Sequence, residues 1–262
     1  MLLSDKTVAI TGAASGNGRG IAKRYAEHGA DVVVADIRDD PRLGGTPTHE
    51  LLPEEYGVDA EFVECNVRSR EAFEPVMDAC DRLGGVDVMV NNAGVSQIGE
   101  RKGVLETTKE DIHELFEINL YGVLHGCQAA IERMLEDRTE GSIINLSSYA
   151  ALEAGPGVGS YSMSKSAILL MTYSMANSFS ADGIRVNAII PGFMKTAMTK
   201  EDQPIVGTDF GDQIVDQQIP MDRFGTPEDV GGVAVFLGSD LASYVTAEAV
   251  LVDGGATNTL VF

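Results

Sequence analysis

The sequence predicts an α/β fold, a doubly wound parallel sheet in a single domain spanning residues 1–262. Short apolar runs rich in Val and Ile alternate with amphipathic helical patterns from end to end, the pattern of strands joined by crossover helices. A glycine-rich turn stands between the first strand and the first helix. At 262 residues and 44% hydrophobic content the chain can bury one sizeable core, and it contains no repeat, low-complexity tract or linker.

The elements follow in order. VAITGAASGNGRGIAKRYAEHGA runs from an apolar strand through Gly12, Gly16 and Gly18 into an amphipathic helix. Glycines at such a junction allow a tight turn and let backbone N–H groups approach an anion at the positive helix end. DVVVADIRDD is a second buried strand whose end supplies Asp36. A carboxylate in that place hydrogen-bonds the ribose hydroxyls of a bound dinucleotide and repels a 2′-phosphate. PRLGGTPTHELLPEEYG reads as a loop and a short surface helix with no assigned chemistry. DAEFVECNV is a third strand ending in Asn66 and Val67, and VDVMVNNAG a fourth ending in Asn91, Asn92, Ala93 and Gly94. Both ends should face the ligand, which in open α/β sheets binds beyond the carboxyl ends of the strands.

A helical pattern then runs from about Lys109 to Leu135 with Asn119 inside it. An asparagine buried there would mark a site or a kink and an exposed one would be filler; spacing alone does not choose. The strand SIINL leads to Ser148, a helix begins around Tyr161, and RVNAIIPG is a sixth strand stopped by Pro191 and Gly192. Lys195 to Arg223 is polar and weakly periodic, and reads as a mobile cover over the site. TPEDVGGVAVFLGS is a last helix with a Thr N-cap, and AVLVDGG a last strand.

The chemistry centres on SYAALEAGPGVGSYSMSK. Tyr161 and Lys165 are four residues apart, on one helix face. A phenol is a poor acid or base at neutral pH, but an ammonium one turn away favours the phenolate. Ser148 adds a hydroxyl aimed at the same substrate oxygen.

Composition narrows the partners. Nineteen Lys and Arg against 40 Asp and Glu give a net charge of −21, which disfavours nucleic acid and anionic membrane. The acid excess would be tolerated best where salt shortens the Debye length, so a salt-rich cytoplasm is an expectation. Cys65, Cys80 and Cys127 form no disulfide or metal pattern and read as core residues. The opening residues carry no basic leader, and no apolar run is long enough to span a membrane, so a soluble cytoplasmic protein is expected.

TGAASGNG, Asp36, NNAG, Asn119, Ser148, YSMSK at Tyr161–Lys165, PGFMKT and the terminal DGG occur in register over nearly the whole chain. In this the sequence resembles the short-chain dehydrogenase/reductase family. The resemblance implies a Rossmann-type fold that binds NAD(H) or NADP(H) and moves a hydride between the nicotinamide and a carbonyl or alcohol carbon. It implies that Ser148 polarises the oxygen, Tyr161 handles the proton, Lys165 tunes Tyr161 and holds the nicotinamide ribose, and Asn119 steadies a water beside Lys165. By the same matching Gly12, Ser15, Asn17, Gly18, Asp36, Asn66, Val67, Asn92, Ala93, Gly94, Pro191, Gly192 and Thr196 would line the cofactor with Tyr161 and Lys165, and no metal is implied. Asn17 stands where isoleucine is common and Asn66 where aspartate is usual.

Expected from these residues is an NAD-dependent oxidoreductase of a secondary alcohol, assembled as a homotetramer. The alternatives are a 3-oxoacyl thioester reductase, a silent NAD-binding scaffold and, ranked lower, a lyase or epimerase. Substrate choice is assigned to Val95–Glu100, Tyr149–Ser160 and the cover. Ser96, Gln97, Glu153 and Lys195 in or beside these segments favour a sugar or polyol.

Overall fold

The computed structural model describes residues 1–97, 102–153 and 159–257. Seven strands, β1 (Thr7–Thr11), β2 (Asp31–Asp36), β3 (Ala60–Glu64), β4 (Val88–Asn91), β5 (Gly141–Leu146), β6 (Ile184–Pro191) and β7 (Ala249–Val252), form one sheet in the order 3-2-1-4-5-6-7. Every pairing is parallel. The chain winds outward from β1 to β3, then returns to place β4 on the other side of β1. The strand order reverses there, and a crevice opens beyond the carboxyl ends of β1 and β4.

Parallel strands are covered on both faces, so their residues alternate between two cores. Ala9, Val33, Met89 and Ile143 point to the side covered by α3 (Glu74–Arg82), α5 (Gly122–Asp137) and α6 (Gly159–Phe179), meeting Val76, Cys127 and Ile168. Val8, Ile10, Val34, Val88 and Ile144 point to the side covered by α1 (Gly16–Glu27), α2 (Thr48–Tyr56) and α8 (Pro227–Gly238), meeting Ile21, Leu52 and Ala234. All three cysteines are buried and free, as the sequence suggested. Among the described residues no helix is long and apolar enough to cross a membrane.

The long helical pattern from Lys109 is two α-helices, α4 (Lys109–Phe116) and α5, joined by a π turn at Glu117–Tyr121. A π turn inserts one residue into the helical ladder and often marks a functional place. Asn119 sits in it and is fully buried.

The segment after β6 holds more regular secondary structure than its weak periodicity suggested. It contains a short π turn at Met198–Asp202 and α7 (Asp209–Gln218), capped by Thr208, whose hydroxyl accepts from Gly211 N at 3.1 Å. Ile214, Ile219 and Phe224 form a small core of their own with Phe193 and Ile205. Its apolar residues pack locally, which is why they follow no single helical period across the segment.

Candidate active site

The first wall of the crevice is the turn between β1 and α1. Gly12 and Gly16 adopt positive φ, 67° and 54°, a conformation that glycine enters without strain. Gly18 lies so close to the turn that a Cβ there would stand 2.2 Å from Gly12 O. Ser15 is the N-cap of α1, yet its hydroxyl makes no bond to the helix; Oγ instead accepts from Arg42 N at 2.7 Å. The first turn of α1 carries no acidic side chain, whereas α4, α7 and α8 each begin with acidic residues. The free N–H groups and positive end of α1 are therefore left for an anion. Asn17, in this first turn, has a buried Oδ1 without a hydrogen-bond partner.

Asp36 ends β2, and its Oδ2 accepts from Ala14 N at 3.0 Å. Burial pushes its pKa up, while the N–H groups of Ala14, Ile37 and Arg38 pull it down. Asn66 follows β3, and its Oδ1 already accepts from Arg68 N at 3.2 Å, leaving one lone pair for an adenine amino group. Asn92 N donates to Thr11 Oγ1 at 3.0 Å and Asn92 Nδ2 to Thr11 O at 2.9 Å, which ties the end of β4 to the end of β1.

The second wall carries the proton chemistry. Ser148 follows the end of β5, and its Oγ accepts from Ala150 N at 3.2 Å. Tyr161 lies in the first turn of α6 and lines the cleft. Burial pushes this phenol up, and a hydrogen bond with Ser148 pulls it back toward ionisation. Lys165, one turn on, has its Nζ 5.9 Å from the centroid of the Tyr161 ring. Nζ donates to Leu146 O at 2.8 Å, and Ser147 Oγ donates to Lys165 O at 2.8 Å, so the β5 end and α6 hold each other in register. Burial lowers the Lys165 pKa to about 8. The pull on the Tyr161 phenol thus comes from Ser148, while the ammonium donates to a carbonyl.

Asn119 does not line the cleft. Its Oδ1 accepts from Val95 N and its Nδ2 donates to Val95 O, both at 2.9 Å, with a further bond to Ser164 Oγ at 3.3 Å. It pins the chain leaving β4. A Cβ added to Gly94 would lie 3.1 Å from Asn119 Oδ1 and 3.5 Å from Lys165 Nζ, so Asn119 and Lys165 flank Gly94.

These walls enclose a cleft of about 670 Å³. Gly12, Ser15, Asn17, Asp36, Asn66, Val67, Asn92, Ala93, Gly94, Ser148, Tyr161, Lys165, Pro191, Gly192 and Thr196 all line it. Gly18 and Asn119 stand behind it. A Cβ on Gly16 would lie 3.6 Å from Thr196 Cβ, so the glycine turn and the segment after β6 face each other across it. The uncapped helix end, the carboxylate at the β2 end and a cleft of about 670 Å³ lined by both Asp36 and Tyr161 fit a nicotinamide dinucleotide.

The sequence reading missed Arg42, placed in a loop assigned no chemistry, and Met194 and Met198, which also line the cleft together with Arg38, the basic residue expected near the ribose site. Arg42 comes from the loop after β2, where nothing in the local pattern marks it. Conversely, Ser96, Gln97, Glu153 and Lys195 do not line it. Glu153 and Lys195 are exposed and Ser96 is buried. Lys195 N donates to Gly225 O at 2.8 Å, and Thr196 N donates to Met194 O at 3.0 Å, closing a tight turn centred on Lys195. Met194 and Thr196 take the cleft and Lys195 takes solvent. Residues 98–101 and 154–158, within or beside the segments assigned to substrate choice, lie outside the described residues.

Residues 12–257 match the family described as enoyl-(acyl carrier protein) reductase. The chain is 37% identical over 257 residues to the L-2,3-butanediol dehydrogenase of Corynebacterium glutamicum, covering 95% of this chain and 98% of that protein. It is 38% identical over 262 residues to 3beta-hydroxysteroid dehydrogenase 1 of Eggerthella lenta, covering 97% and 95%. It is also 36% identical over 257 residues to a 3-oxoacyl-(acyl-carrier-protein) reductase of Thermotoga maritima, covering 97% and 99%. Among solved structures, a chain assigned as a 2-deoxy-D-gluconate 3-dehydrogenase from Agrobacterium tumefaciens, with bound NADP, superimposes with a TM-score of 0.85 at 30% identity over 98% of each chain.

Proposed function

Because the chain belongs to the short-chain dehydrogenase/reductase family, we propose that Tyr161, Ser148 and Lys165 interconvert a secondary alcohol and its carbonyl beside a nicotinamide bound in this cleft. The chain is an NAD(P)-dependent oxidoreductase. When bound, the nicotinamide accepts hydride from the carbinol carbon or returns it to the carbonyl carbon. The Ser148 hydroxyl donates to the substrate oxygen. The Tyr161 oxygen takes the alcohol proton during oxidation and gives it back during reduction. Lys165, buried and cationic below pH 8, would stabilise the phenolate formed in reduction and would hold the nicotinamide ribose. Asn119 is a positioning residue, holding Val95 and flanking Gly94 opposite Lys165. The observation that carries this reading is the gathering of Ser148, Tyr161 and Lys165 on the lining of one cleft of about 670 Å³ that also holds the glycine turn and Asp36.

The cofactor proposed is NAD. Asp36 sets a carboxylate where a 2′-phosphate would lie. The two arginines nearby do not offset it: Arg38 is paired with Asp40, and Arg42 with Glu201 and Asp202. The substrate proposed is a small neutral hydroxylated compound, a polyol, sugar or hydroxyketone. The four side chains first taken to favour it are not in the cleft, so the case rests on two other points. An acidic acyl carrier protein meets a surface of net charge −21, and the butanediol dehydrogenase above acts on a vicinal diol. The chain is further proposed to assemble as a homotetramer in the cytoplasm.

A panel of diols, sugars and hydroxyketones against an acetoacetyl thioester, assayed with wild type and Tyr161→Phe at low and high salt, tests these points. The expected result is that the hydroxylated substrates win and that the variant loses about 10²- to 10⁴-fold in kcat while its NADH affinity holds. A thioester ahead at both salts would reject the substrate. A variant keeping more than half of kcat would reject the role of Tyr161, and no turnover with any compound would favour a scaffold.

A further inference from the structure

Arg42 enters the cleft at the end that holds Asp36, and two bonds fix where it stands. Its main-chain N donates to Ser15 Oγ at 2.7 Å, which ties the loop after β2 to the glycine turn. Its guanidinium crosses to the opposite wall and donates to Asp202 at 2.9 and 2.7 Å and to Glu201 at 2.9 Å. Those carboxylates close the π turn at Met198–Asp202, whose Met198 and neighbouring Thr196 and Ala197 line the same cleft. The contact raises the Arg42 pKa and lowers that of Asp202, so both stay charged.

A guanidinium lining the cleft that Asp36 also lines is a natural ligand for a 2′-phosphate, because its planar fork matches phosphate and both partners are charged. Here that fork already faces two carboxylates, and the group of three carries net negative charge. We propose that Glu201 and Asp202 are specificity-determining residues that act through Arg42, withholding its guanidinium from a 2′-phosphate and so keeping the cleft selective for NAD. The inference rests on the cofactor proposed above and gives selectivity a second source, on the opposite wall of the cleft from Asp36. It also accounts for an arginine in a site that should reject phosphate: its work is to join the loop after β2 to the segment after β6. The ion pairs are a third to a half exposed, so each is individually weak. A dianionic phosphate would therefore compete for the guanidinium once the carboxylates lose their charge.

Dissociation constants for NADH and NADPH, read from nicotinamide fluorescence on the whole chain, test it without relying on turnover. In Glu201→Gln/Asp202→Asn, the affinity for NADPH should rise on the order of tenfold while that for NADH changes by less than about threefold. Adding Arg42→Ala should abolish the gain. Removing two exposed charges elsewhere, by Glu136→Gln/Asp137→Asn at the end of α5, should leave the NADPH-to-NADH ratio unmoved. The proposal is overturned if the ratio stays constant in the first variant, if both cofactors weaken in parallel, or if the gain survives loss of Arg42. A wild type that already binds NADPH as tightly as NADH would refute the NAD reading separately, because the response of the ratio to the double substitution still reports on Arg42.

Discussion

Lys165 carries its charge in a place that disfavours it: the side chain is 4% exposed, and its ammonium donates to one carbonyl, Leu146 O. In the unfolded chain the amine holds its proton up to its ordinary 10.5, whereas the folded chain releases it near 8. Between those values the unfolded state binds more protons, so stability rises with pH through this window and is lost again as pH falls through it. Lys165→Met removes the dependence. From pH 8 to pH 10 wild type should therefore gain on the variant by roughly 2–3 kcal/mol in denaturant unfolding of the cofactor-free protein. A stability gap that stays flat across the window would show that the amine is solvated. The same burial serves function, since an ammonium in a dry site acts strongly on the phenolate and the ribose that reach it.

At the scale of elements, the glycine turn is held in place by the packing of α1 against α8. The two helices approach at glycines: a Cβ on Gly20 would fall 2.3 Å from Pro227 Cβ and 2.5 Å from the Pro227 carbonyl carbon, and one on Gly231 would fall 2.8 Å from Gly20 O. Backbone cannot yield as a long side chain can. Nearby, Tyr25 is fully buried and donates its hydroxyl to Ala234 O at 2.7 Å, fixing the rotation of α1 on α8. Gly20→Ala should cost about 1–3 kcal/mol through overpacking and lower Tm by several degrees. Because the same shift moves the N-terminus of α1, cofactor affinity should fall with it. A variant with wild-type Tm would mean that the helices can separate freely at this point. The π turn at Glu117–Tyr121 has the complementary role on the other side of the sheet, turning a polar side chain inward to hold Val95.

Across the whole molecule, the net charge of −21 is the dominant long-range property. With 40 acidic and 19 basic side chains, long-range repulsion opposes the folded chain at low ionic strength and is screened as the Debye length falls to about 3 Å near 1 M salt. Exposed apolar side chains such as Leu170 on α6, and Leu241 and Tyr244 after α8, are surfaces that a homotetramer would cover. Sedimentation and melting in the same buffers, from about 0.1 to 1 M salt, should give a mass about fourfold that of the 27.8 kDa chain and a Tm that climbs with salt. A mass near one chain would reject the assembly, and a flat Tm would reject the salt adaptation.

The sequence by itself determined the order of strands and helices, because buried parallel strands must be apolar throughout and the glycines, Asp36 and Tyr161–Lys165 sit at the junctions where chains leave a sheet. It also determined which residues gather at the strand ends, since ligands of such sheets bind there whatever the loops do. Side-chain direction was decided only by the tertiary structure. The periodicity of Lys109–Leu135 could not reveal that a π turn buries Asn119 against Val95. Nor could proximity in sequence show that Lys195 faces solvent while its neighbours Met194 and Thr196 face the cleft. Arg42 and its partners are 159 and 160 residues apart along the chain. Their contact depends on how two loops from different strand ends fold over one crevice, which no local pattern encodes.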